Sequence, residues 1–515
     1  MKNAILFSLI LLIHAVLFSQ PQPKIDSLVI LHWNDFHAQD IPLEVTSPND
    51  RSIKYHVGGE ATLAGYVRDL KKSFVNVLVV SGGDEFQGTP ISNITSGRSQ
   101  IELLNMIHPD AMVLGNHEFD YGADSLRANI ARAVFPILCS NVIDVAKNST
   151  FGLPFAIKNF GDLKIGILGT TSPGLSNLTL TQNLNGLRVR NIDSSLSISL
   201  AELKEKEQPN FIVLLSHEGL YDDSVLALHH PEINVIIASH DHRALFTPMK
   251  VGKSIIVEAG SKGQYLGELK LAVDPVGDSV VSYSDNLIET KGDGIQPDSA
   301  IAVKVSEFEG IVNKGLSQVI GELKAPWTRG EKDAYESNLG DFESDAFRSY
   351  SSIDADVAFV NSAGIRKSLN AGPVKIRDLW EINPFGNTLV YFVVRGDTLR
   401  RMIEWQAGKP TLQVSGIKYS FRKKEGYHAD LVTLTVHDKP VDEKQYYKVI
   451  TNNYVGEHFK TYFGFDPAGI TITDSGIIDR DVIIEAVKQQ KLITPAIEGR
   501  IRSVNENGAG KEKTN

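Results

Sequence analysis

The chain has 515 residues, a length sufficient for two domains that each bury a core of their own. Hydrophobic residues make up 42% and charged residues 22% of the composition, which is typical of globular proteins. The formal net charge of −10 argues against a nucleic-acid binder, because such a protein needs a basic face. A small anionic substrate remains compatible with this charge, since bound metal cations can reverse the local field.

The first residues have the pattern of a secretory signal peptide. Lys2 provides a positive start, residues 4–18 are almost all apolar, and Ser19-Gln20-Pro21 ends the run. The run is shorter than the ~20 residues that a membrane helix needs, so residues 1–20 are predicted to be cleaved, with an uncleaved anchor as the alternative. We therefore expect a periplasmic or secreted protein, and no later stretch predicts a transmembrane segment.

Short apolar runs alternate with amphipathic stretches through residues 26–297. The runs are rich in β-branched residues and end in polar or glycine-rich loops, a pattern that predicts buried strands. These strands are expected at residues 29–31, 77–80, 111–114, 164–168, 211–215 and 235–238. The alternation predicts an α/β sandwich with functional side chains on the loops at strand ends.

A helix is predicted over residues 298–318, where Ile301, Val305, Phe308, Ile311 and Val312 form one apolar stripe. We interpret this helix as a linker from the first domain to a second α/β domain over residues 319–503. The final segment, residues 504–515, is polar and contains glycine, so we expect it to be disordered.

Side chains with metal-binding chemistry follow the predicted strands. Asp35 and His37 come after the first strand, and a spacing of two would point both side chains the same way in an extended strand. Later strands are followed by Asp84, Asn116, His117, Asp120, His217, His240 and His242. Each residue taken alone is more often a turn, a cap or a packed side chain. Together they predict a metal centre, and oxygen and imidazole ligands suit zinc, manganese or iron.

Longer motifs around these residues resemble a known enzyme family. They are Leu31–His37, Gly83-Asp84, Gly88–Pro90, Gly115–Asp120 and Ser239–His242, followed by Glu336–Gly340, Asn361–Arg366 and Pro384–Thr388. Over residues 28–501 the chain is similar to the secreted 5'-nucleotidase, UDP-sugar hydrolase and 2',3'-cyclic phosphodiesterase family. The resemblance implies an α/β fold: a four-layer metallophosphoesterase sandwich, then a smaller α/β (α+β) substrate-binding domain joined to it by a helix.

The resemblance also implies a centre of two divalent metal ions, with zinc or manganese expected. Carried onto this chain, its ligand set is Asp35, His37 and His242 for the first ion, Asn116, His217 and His240 for the second, and Asp84 as the bridge. His117 would face the phosphate, and Asp120 would orient His117, with a helix cap as the alternative role of Asp120. Water activated by the two ions would attack phosphorus.

For the substrate, the resemblance implies a nucleoside base stacked between two aromatic rings. Phe385 matches the first ring, and Tyr454 matches the second, where the family usually has Phe. Asn361 and Arg366 match positions that contact the base and the phosphate or ribose. The family often has a further arginine a few residues before Glu336, and in this chain Asp333 occupies the closest matching position. Arg329 and Lys332 are therefore the candidate replacements for that arginine.

One departure from the family concerns the ribose. Lys460 falls near the position of the family's ribose-binding aspartate, and Glu457 is a candidate substitute. We therefore predict an exported enzyme that removes phosphate from nucleoside 5'-monophosphates, with di- and triphosphates as further candidates. The alternatives are a UDP-sugar hydrolase, a 2',3'-cyclic nucleotide phosphodiesterase, a thiosulfohydrolase-like enzyme and an inactive nucleotide-binding protein. The expected partner is a nucleotide and not a nucleic acid, and the sequence leaves the oligomeric state open.

Overall fold

A computed structural model describes residues 26–504, except 48–49, 51, 275–278, 331–333 and 425–427. The predicted signal peptide and the predicted disordered tail from residue 505 lie outside the described residues, as do Lys332 and Asp333. Within the described part of the chain, no helix combines the length and apolar character that crossing a membrane requires.

The first part of the chain alternates strands and helices. Its strands are β1 (Asp26–Trp33), β2 (Leu43–Thr46), β3 (Lys54–Val57), β4 (Val77–Ser81), β5 (Ala111–Val113), β6 (Ile137–Leu138), β7 (Val142–Asp144), β8 (Ser149–Thr150), β9 (Phe155–Phe160), β10 (Leu163–Thr171), β11 (Leu187–Val189), β12 (Phe211–His217), β13 (Val235–Ile237), β14 (Met249–Val251), β15 (Ser254–Val257), β16 (Tyr265–Asp274) and β17 (Ser279–Glu289). Its helices are α1 (Glu60–Ser73), α2 (Pro90–Thr95), α3 (Arg98–Ile107), α4 (Ala123–Arg132), α5 (Ile192–Glu207) and α6 (Leu220–His229).

Two six-stranded sheets form the centre of this part. Their strand orders are β17-β16-β1-β4-β5-β6 and β14-β15-β13-β12-β10-β9. Because side chains alternate along a strand, β1 directs Leu28 and Ile30 into a core shared with the second sheet, whereas Val29 and Leu31 pack in the core on the other side. Helices α1 and α3 contribute to that outer core, and α5 and α6 cover the second sheet. The result is the four-layer sandwich that the resemblance implies.

Helix α7 (Ser299–Leu316) follows the sandwich and begins after Asp298, whose carboxylate accepts hydrogen bonds from the N–H groups of Ala300 and Ile301. Ile301, Phe308 and Val312 are buried in the outer core of the first sheet, as the apolar stripe predicts. The placement of Ile311 in that stripe is wrong, since its side chain is 49% exposed. Consecutive residues of a helix are rotated by about 100° from each other, so the burial of Val312 turns its neighbour away from the core.

The second part of the chain is a smaller α/β unit. Its strands are β18 (Val319–Leu323), β19 (Val357–Asn361), β20 (Gly372–Lys375), β21 (Thr388–Arg395), β22 (Leu412–Ser415), β23 (Ile417–Lys423), β24 (Ala429–Val436), β25 (Lys439–Pro440), β26 (Tyr446–Asn452), β27 (Thr473–Ile478), β28 (Leu492–Ile493) and β29 (Ile501–Ser503). Its helices are α8 (Asn338–Arg348), α9 (Ile376–Ile382), α10 (Gly396–Gln406), α11 (Asn453–Glu457), α12 (Phe459–Phe463) and α13 (Asp479–Gln490). A central sheet of order β22-β19-β26-β21-β27 has α8, α9 and α13 in the core on one side and α10 and α12 on the other.

Candidate active site

The predicted ligands meet where the parallel strands of both sheets end. Strands β1, β4 and β5 run parallel in the first sheet, and β12 and β13 run parallel in the second. Loops after these strands carry Asp35, Asp84 and Asn116 from one sheet and His240 and His242 from the other, while His217 is the last residue of β12. Because the two sheets face each other, their loops converge on one cluster.

The extended geometry expected for Asp35 and His37 is wrong. Strand β1 ends at Trp33, and the two residues have φ angles of 51° and 52°, in the left-handed region. Their N–H groups donate to the carbonyl oxygens of Gly83 and Asp84, each at 2.9 Å. Pairing with the neighbouring loop therefore holds both side chains in the cluster despite the strained backbone.

The cluster contains overlapping groups of metal-binding side chains. Asp35, His37 and His242 form one group, and Asp84, His217 and His240 form another, with the ligand atoms of each group within 4.8 Å of one another. Asp84 also forms a group with His37 and His117, so its carboxylate lies between the two sets. The structure thus brings together six of the seven predicted ligands, and the seventh, Asn116, lines the adjoining cavity with Asp84, His240 and His242.

The donor atoms fit bound cations. Among the described residues, the buried Asn116 Oδ1 has no hydrogen-bond partner. Asp35 Oδ1 and His217 Nε2 contact only other predicted ligands, since His242 Nε2 lies 3.3 Å from Asp35 Oδ1 and Asp84 Oδ2 lies 3.1 Å from His217 Nε2. Buried polar atoms without a partner are costly, and a cation at the cluster would satisfy all three. Oxygen and imidazole donors suit divalent transition metals such as zinc and manganese.

Neighbouring groups hold the ligands in place. His217 Nδ1 lies 2.8 Å from the Gly82 carbonyl oxygen, and His37 Nδ1 lies 3.2 Å from that of Gln87, which leaves Nε2 of each ring toward the cluster. Glu118, which the sequence analysis did not assign, accepts hydrogen bonds from the N–H groups of Asp84, Glu85, Phe86 and Gly115. Its carboxylate fixes two ligand loops at once. The position of Glu118 inside the Gly115–Asp120 motif is the feature of the sequence that could have indicated this role.

His117 and Asp120 form a pair beside the cluster. His117 Nδ1 lies 2.6 Å from Asp120 Oδ2, which leaves His117 Nε2 toward Asp84, 4.0 Å from its Oδ2. Burial alone would lower the pKa of His117, but the carboxylates of Asp120 and Asp84 raise it above its ordinary value. Asp120 is in turn contacted by Thr179 and Asn183. The arrangement orients a largely buried imidazole that favours its protonated form.

A cavity of about 700 Å³ extends from the cluster into the second part of the chain. All five predicted substrate residues line it, namely Arg329, Asn361, Arg366, Phe385 and Tyr454. The rings of Phe385 and His117 have centroids 5.9 Å apart, and the Arg366 guanidinium lies 5.8 Å from the Phe385 ring centre. An aromatic face and a cation therefore lie directly beside the imidazole and the metal ligands.

The replacements suggested for ribose binding lie elsewhere. Glu457 Oε2 accepts a hydrogen bond from the N–H of Thr181 at 2.9 Å, and Lys460 is exposed, with its Nζ 3.4 Å from Asp466. Neither residue lines the cavity. His32, which lies within the first motif, is also away from the cluster, with Nε2 4.0 Å from Asp285 Oδ1.

One wall of the cavity is formed by residues that the sequence motifs do not include. Leu178, Thr179, Leu180 and Asn183 line it from a loop between β10 and β11. This loop carries no predicted metal ligand and no strand or helix periodicity, so nothing in its sequence singled it out.

Comparisons with known proteins agree with this geometry. Residues 28–244 match the family described as calcineurin-like phosphoesterase, and residues 319–465 match the family described as 5'-nucleotidase, C-terminal domain. The chain is 28% identical over 536 residues to a snake venom 5'-nucleotidase of Naja atra, covering 92% of this chain and 98% of the relative. It is 28% identical over 557 residues to the 5'-nucleotidase of Rattus norvegicus, covering 96% and 93% of the two chains.

A solved structure agrees as well. The 5'-nucleotidase precursor from Thermus thermophilus superposes with a TM-score of 0.83 at 26% identity, covering 93% of this chain and 100% of that one. The chain belongs to the 5'-nucleotidase family. This confirms the family and the two-domain α/β fold that the motifs predicted. As a member of the 5'-nucleotidase family, the chain is a metal-dependent phosphoric monoester hydrolase that acts on nucleotides.

Proposed function

We propose that the chain is an exported phosphohydrolase with two divalent metal ions that releases phosphate from nucleoside 5'-monophosphates. The observation that carries this proposal is the shared cavity in which Phe385 lies 5.9 Å, centroid to centroid, from His117 beside the metal ligands. One wall suits a planar base, and the adjoining wall suits a phosphate. That combination matches a small nucleotide better than a phosphate ester without a base.

The ligand roles are proposed as the motifs imply them. Asp35, His37 and His242 hold the first ion, Asn116, His217 and His240 hold the second, and Asp84 bridges them. Divalent ions held there supply Lewis acidity toward phosphoryl oxygens and activate water for attack on phosphorus. We propose zinc or manganese.

The chain's own side chains complete the proposed site. Arg366 and Arg329 offer guanidinium groups to the phosphate, and His117, oriented by Asp120, stabilises charge on the phosphoryl oxygens. Phe385 and Tyr454 provide aromatic faces for the base, and Asn361 provides hydrogen bonds to it. Neither Glu457 nor Lys460, the two residues considered for ribose binding, lines the cavity, so base stacking carries more of the nucleoside binding here.

Export is supported by the signal-peptide pattern of residues 1–20 and by similarity to a venom enzyme. Cleavage is tested by N-terminal sequencing of the protein recovered from outside the cytoplasm. We expect a mature chain that begins near residue 21. A chain that still begins at Met1 would contradict cleavage.

The substrate is tested by hydrolysis of AMP, ATP, UDP-glucose, 2',3'-cyclic AMP and bis-p-nitrophenyl phosphate, each with added manganese or zinc and each with and without EDTA. The products to follow are inorganic phosphate from AMP and ATP, UMP and glucose 1-phosphate from UDP-glucose, an adenosine monophosphate from the cyclic nucleotide and p-nitrophenol from the nitrophenyl ester. We expect rapid release from AMP that EDTA abolishes. Turnover of UDP-glucose or the cyclic nucleotide in preference to AMP would favour those alternatives. Nucleotide binding without hydrolysis of any substrate would favour the inactive binding protein.

A matched pair of variants links turnover to the site. His117→Asn should lower kcat for AMP by about 10²–10³-fold, because it removes a charge-stabilising group next to the phosphate. His56→Asn changes an exposed histidine on β3 and should leave kcat unchanged. Equal rates for the two variants would remove His117 from the proposed mechanism.

A further inference from the structure

A second, smaller cavity adjoins the metal cluster on the other side of Arg329 and Arg366. It has a volume of about 110 Å³, larger than the ~30 Å³ that a water molecule occupies in the liquid. Arg329, Arg366 and His242 line both cavities, so these side chains form the boundary between them. We call this smaller space the basic compartment. Its cationic lining consists of Lys262, Arg329, Arg366 and Lys367.

The charges of the basic compartment are not balanced. Glu381 is its one lining carboxylate among the described residues, and it is already paired with Lys367 and, at 2.7 Å, with Arg377 Nε. Within the part of the chain that the structure describes, Lys262, Arg329 and Arg366 have no carboxylate within 4.0 Å. Lys262 and Arg366 are partly buried, and Arg329 is exposed beside them. Partly buried charges are normally paired, so the unpaired cations Lys262 and Arg366 indicate a missing anion.

The phosphate that is hydrolysed does not account for all three. Arg329 and Arg366 reach the large cavity and can contact a phosphate there, but Lys262 lines only the basic compartment. Lys262 stands between β15 and β16 with φ at 56°, and its N–H donates to the Asp35 carbonyl oxygen at 2.8 Å. Its backbone is therefore tied to the metal-binding loop, and its ammonium group is left without a partner among the described residues.

Lys262 shares the basic compartment with the cations Arg366, Lys367 and Arg329. An anion beside its ammonium group would offset the repulsion among these charges. Neutral donors nearby are already engaged: Thr89 Oγ1 donates to the Ala38 carbonyl oxygen, and Gln39 Nε2 donates to that of Ile41. Recognition in the basic compartment thus depends on its cations.

We propose that the basic compartment binds a second phosphoryl oxyanion, with Lys262 as its recognition residue. Its source is either inorganic phosphate or the additional phosphate of a nucleoside di- or triphosphate. The first source does not depend on the proposed function, whereas the second rests on it. Tetrahedral oxyanions match the size of the cavity and its cluster of ammonium and guanidinium donors.

Calorimetric titration with inorganic phosphate tests the site without turnover. Metal-loaded wild-type protein should bind two phosphates, one that EDTA abolishes and one that survives EDTA. Lys262→Met should weaken the EDTA-resistant site by about tenfold or more and retain the metal-dependent one. A single phosphate site in all preparations would overturn the proposal. Because no substrate is hydrolysed, failure of the nucleotidase proposal would leave this measurement interpretable.

Two further variants test whether a loss of phosphate affinity comes from Lys262 itself, from the change in net charge or from misfolding. Lys253→Met removes the same charge from an exposed turn between β14 and β15 that lines neither cavity, and it should bind phosphate as wild type does. Lys262→Arg keeps a cation and should restore affinity to within about threefold. Equal phosphate affinities for Lys262→Met and Lys253→Met, in proteins with the same melting temperature, would refute a role for Lys262.

Kinetics then distinguish the two sources. If the compartment takes a substrate's additional phosphate, Lys262→Met should raise the ratio of KM for ADP to KM for AMP by about tenfold. If it takes free phosphate, the inhibition constant for added phosphate should rise instead, with the KM ratio unchanged. If Lys262→Met changes neither the KM ratio nor the inhibition constant and leaves the calorimetry unaltered, the proposal is wrong.

Discussion

At the residue scale, the hydrogen bonds that each carboxylate accepts determine whether it is free to bind a metal ion. Asp35 accepts hydrogen bonds at Oδ2 from Asn34 and from the His240 N–H, which leaves Oδ1 for a cation. Glu118 uses its oxygens on backbone N–H groups and keeps none for a metal. Asp120 Oδ2 lies 2.6 Å from Nδ1 of the His117 imidazole. Three acidic residues near one cluster thus divide into a ligand, a loop support and an orienting group.

The orienting role of Asp120 gives a first prediction. Asp120→Asn keeps the size of the side chain and removes the charge that orients and stabilises protonated His117, so kcat for AMP should fall by roughly 10- to 100-fold. Metal content and KM should stay near wild type, because Asp120 is proposed neither as a ligand nor as a substrate contact. Steady-state kinetics and metal analysis check both.

Asp124→Asn is the control for this change. Asp124 lies four residues further along, with a fully exposed side chain in contact with Arg127. It should keep full activity. Loss of metal from Asp120→Asn would contradict the orienting role and would indicate a ligand instead.

Phe385 gives a second prediction at this scale. Its ring is partly exposed in the cavity, so Phe385→Ala should raise KM for AMP by about tenfold or more through lost stacking, with a smaller effect on kcat. Phe385→Tyr keeps an aromatic face and should stay close to wild type. If Phe385 belonged to the core instead, Phe385→Ala would lower the melting temperature and leave KM unchanged.

The predictability of these residues depended on their local context. The clustering of the proposed ligands could be predicted because each follows a buried apolar run inside a recognisable motif. The geometry of Asp35 and His37 could not, because their left-handed backbone is imposed by hydrogen bonds to the loop after β4, almost 50 residues away. Lys262 could not be predicted either, since a single lysine in a glycine-containing loop has no periodicity or spacing that indicates charge clustering.

At the element scale, the cavity wall between β10 and β11 is held by contacts from the second part of the chain. The Tyr454 hydroxyl donates to the Asn177 carbonyl oxygen at 2.7 Å, and Glu457 Oε2 accepts from the Thr181 N–H at 2.9 Å. His458 Nε2 lies 3.2 Å from the Ser176 carbonyl oxygen. Residues more than 270 positions apart therefore build one wall, which sequence patterns do not predict.

This contact gives a third prediction. Thr181 begins a 3₁₀ turn (Thr181–Leu184), where proline is tolerated, so Thr181→Pro should remove the N–H donor with little local disruption. Losing a hydrogen bond to a charged acceptor should weaken the wall by about 1.5–3 kcal/mol and raise KM for AMP. Steady-state kinetics of the variant measure the change.

Glu457→Ala, which removes the acceptor, and the double variant complete a cycle. If Thr181 and Glu457 act through one hydrogen bond, the double variant should have the KM of the worse single variant. Additive effects would mean that the two residues act separately. Thr181→Ala, which keeps the N–H donor, is the control and should resemble wild type.

At the scale of the whole molecule, the cluster of proposed metal ligands joins the two sheets of the sandwich. Asp35, Asp84 and Asn116 follow strands of one sheet, and His217, His240 and His242 lie at or after the ends of strands of the other. The layered fold itself could be predicted, because apolar strands and amphipathic helices dictate where each element buries its surface. The closeness of the second part of the chain to the cluster could not, because it depends on contacts between distant loops.

Because the ligands come from both sheets, metal binding should stabilise the sandwich as well as activate it. Ions that bind only the folded state at 100 times their Kd add about 2.7 kcal/mol each, so EDTA should lower the melting temperature by roughly 5–10 °C. Chelation also leaves the buried carboxylates of Asp35 and Asp84 without their cations. Calorimetry with and without EDTA measures the effect, with metal analysis confirming removal. Asp84→Asn should melt at the same temperature in both conditions, whereas Asp124→Asn should respond as wild type does. An unchanged melting temperature in metal-stripped wild type would show that the two sheets hold together without the ions.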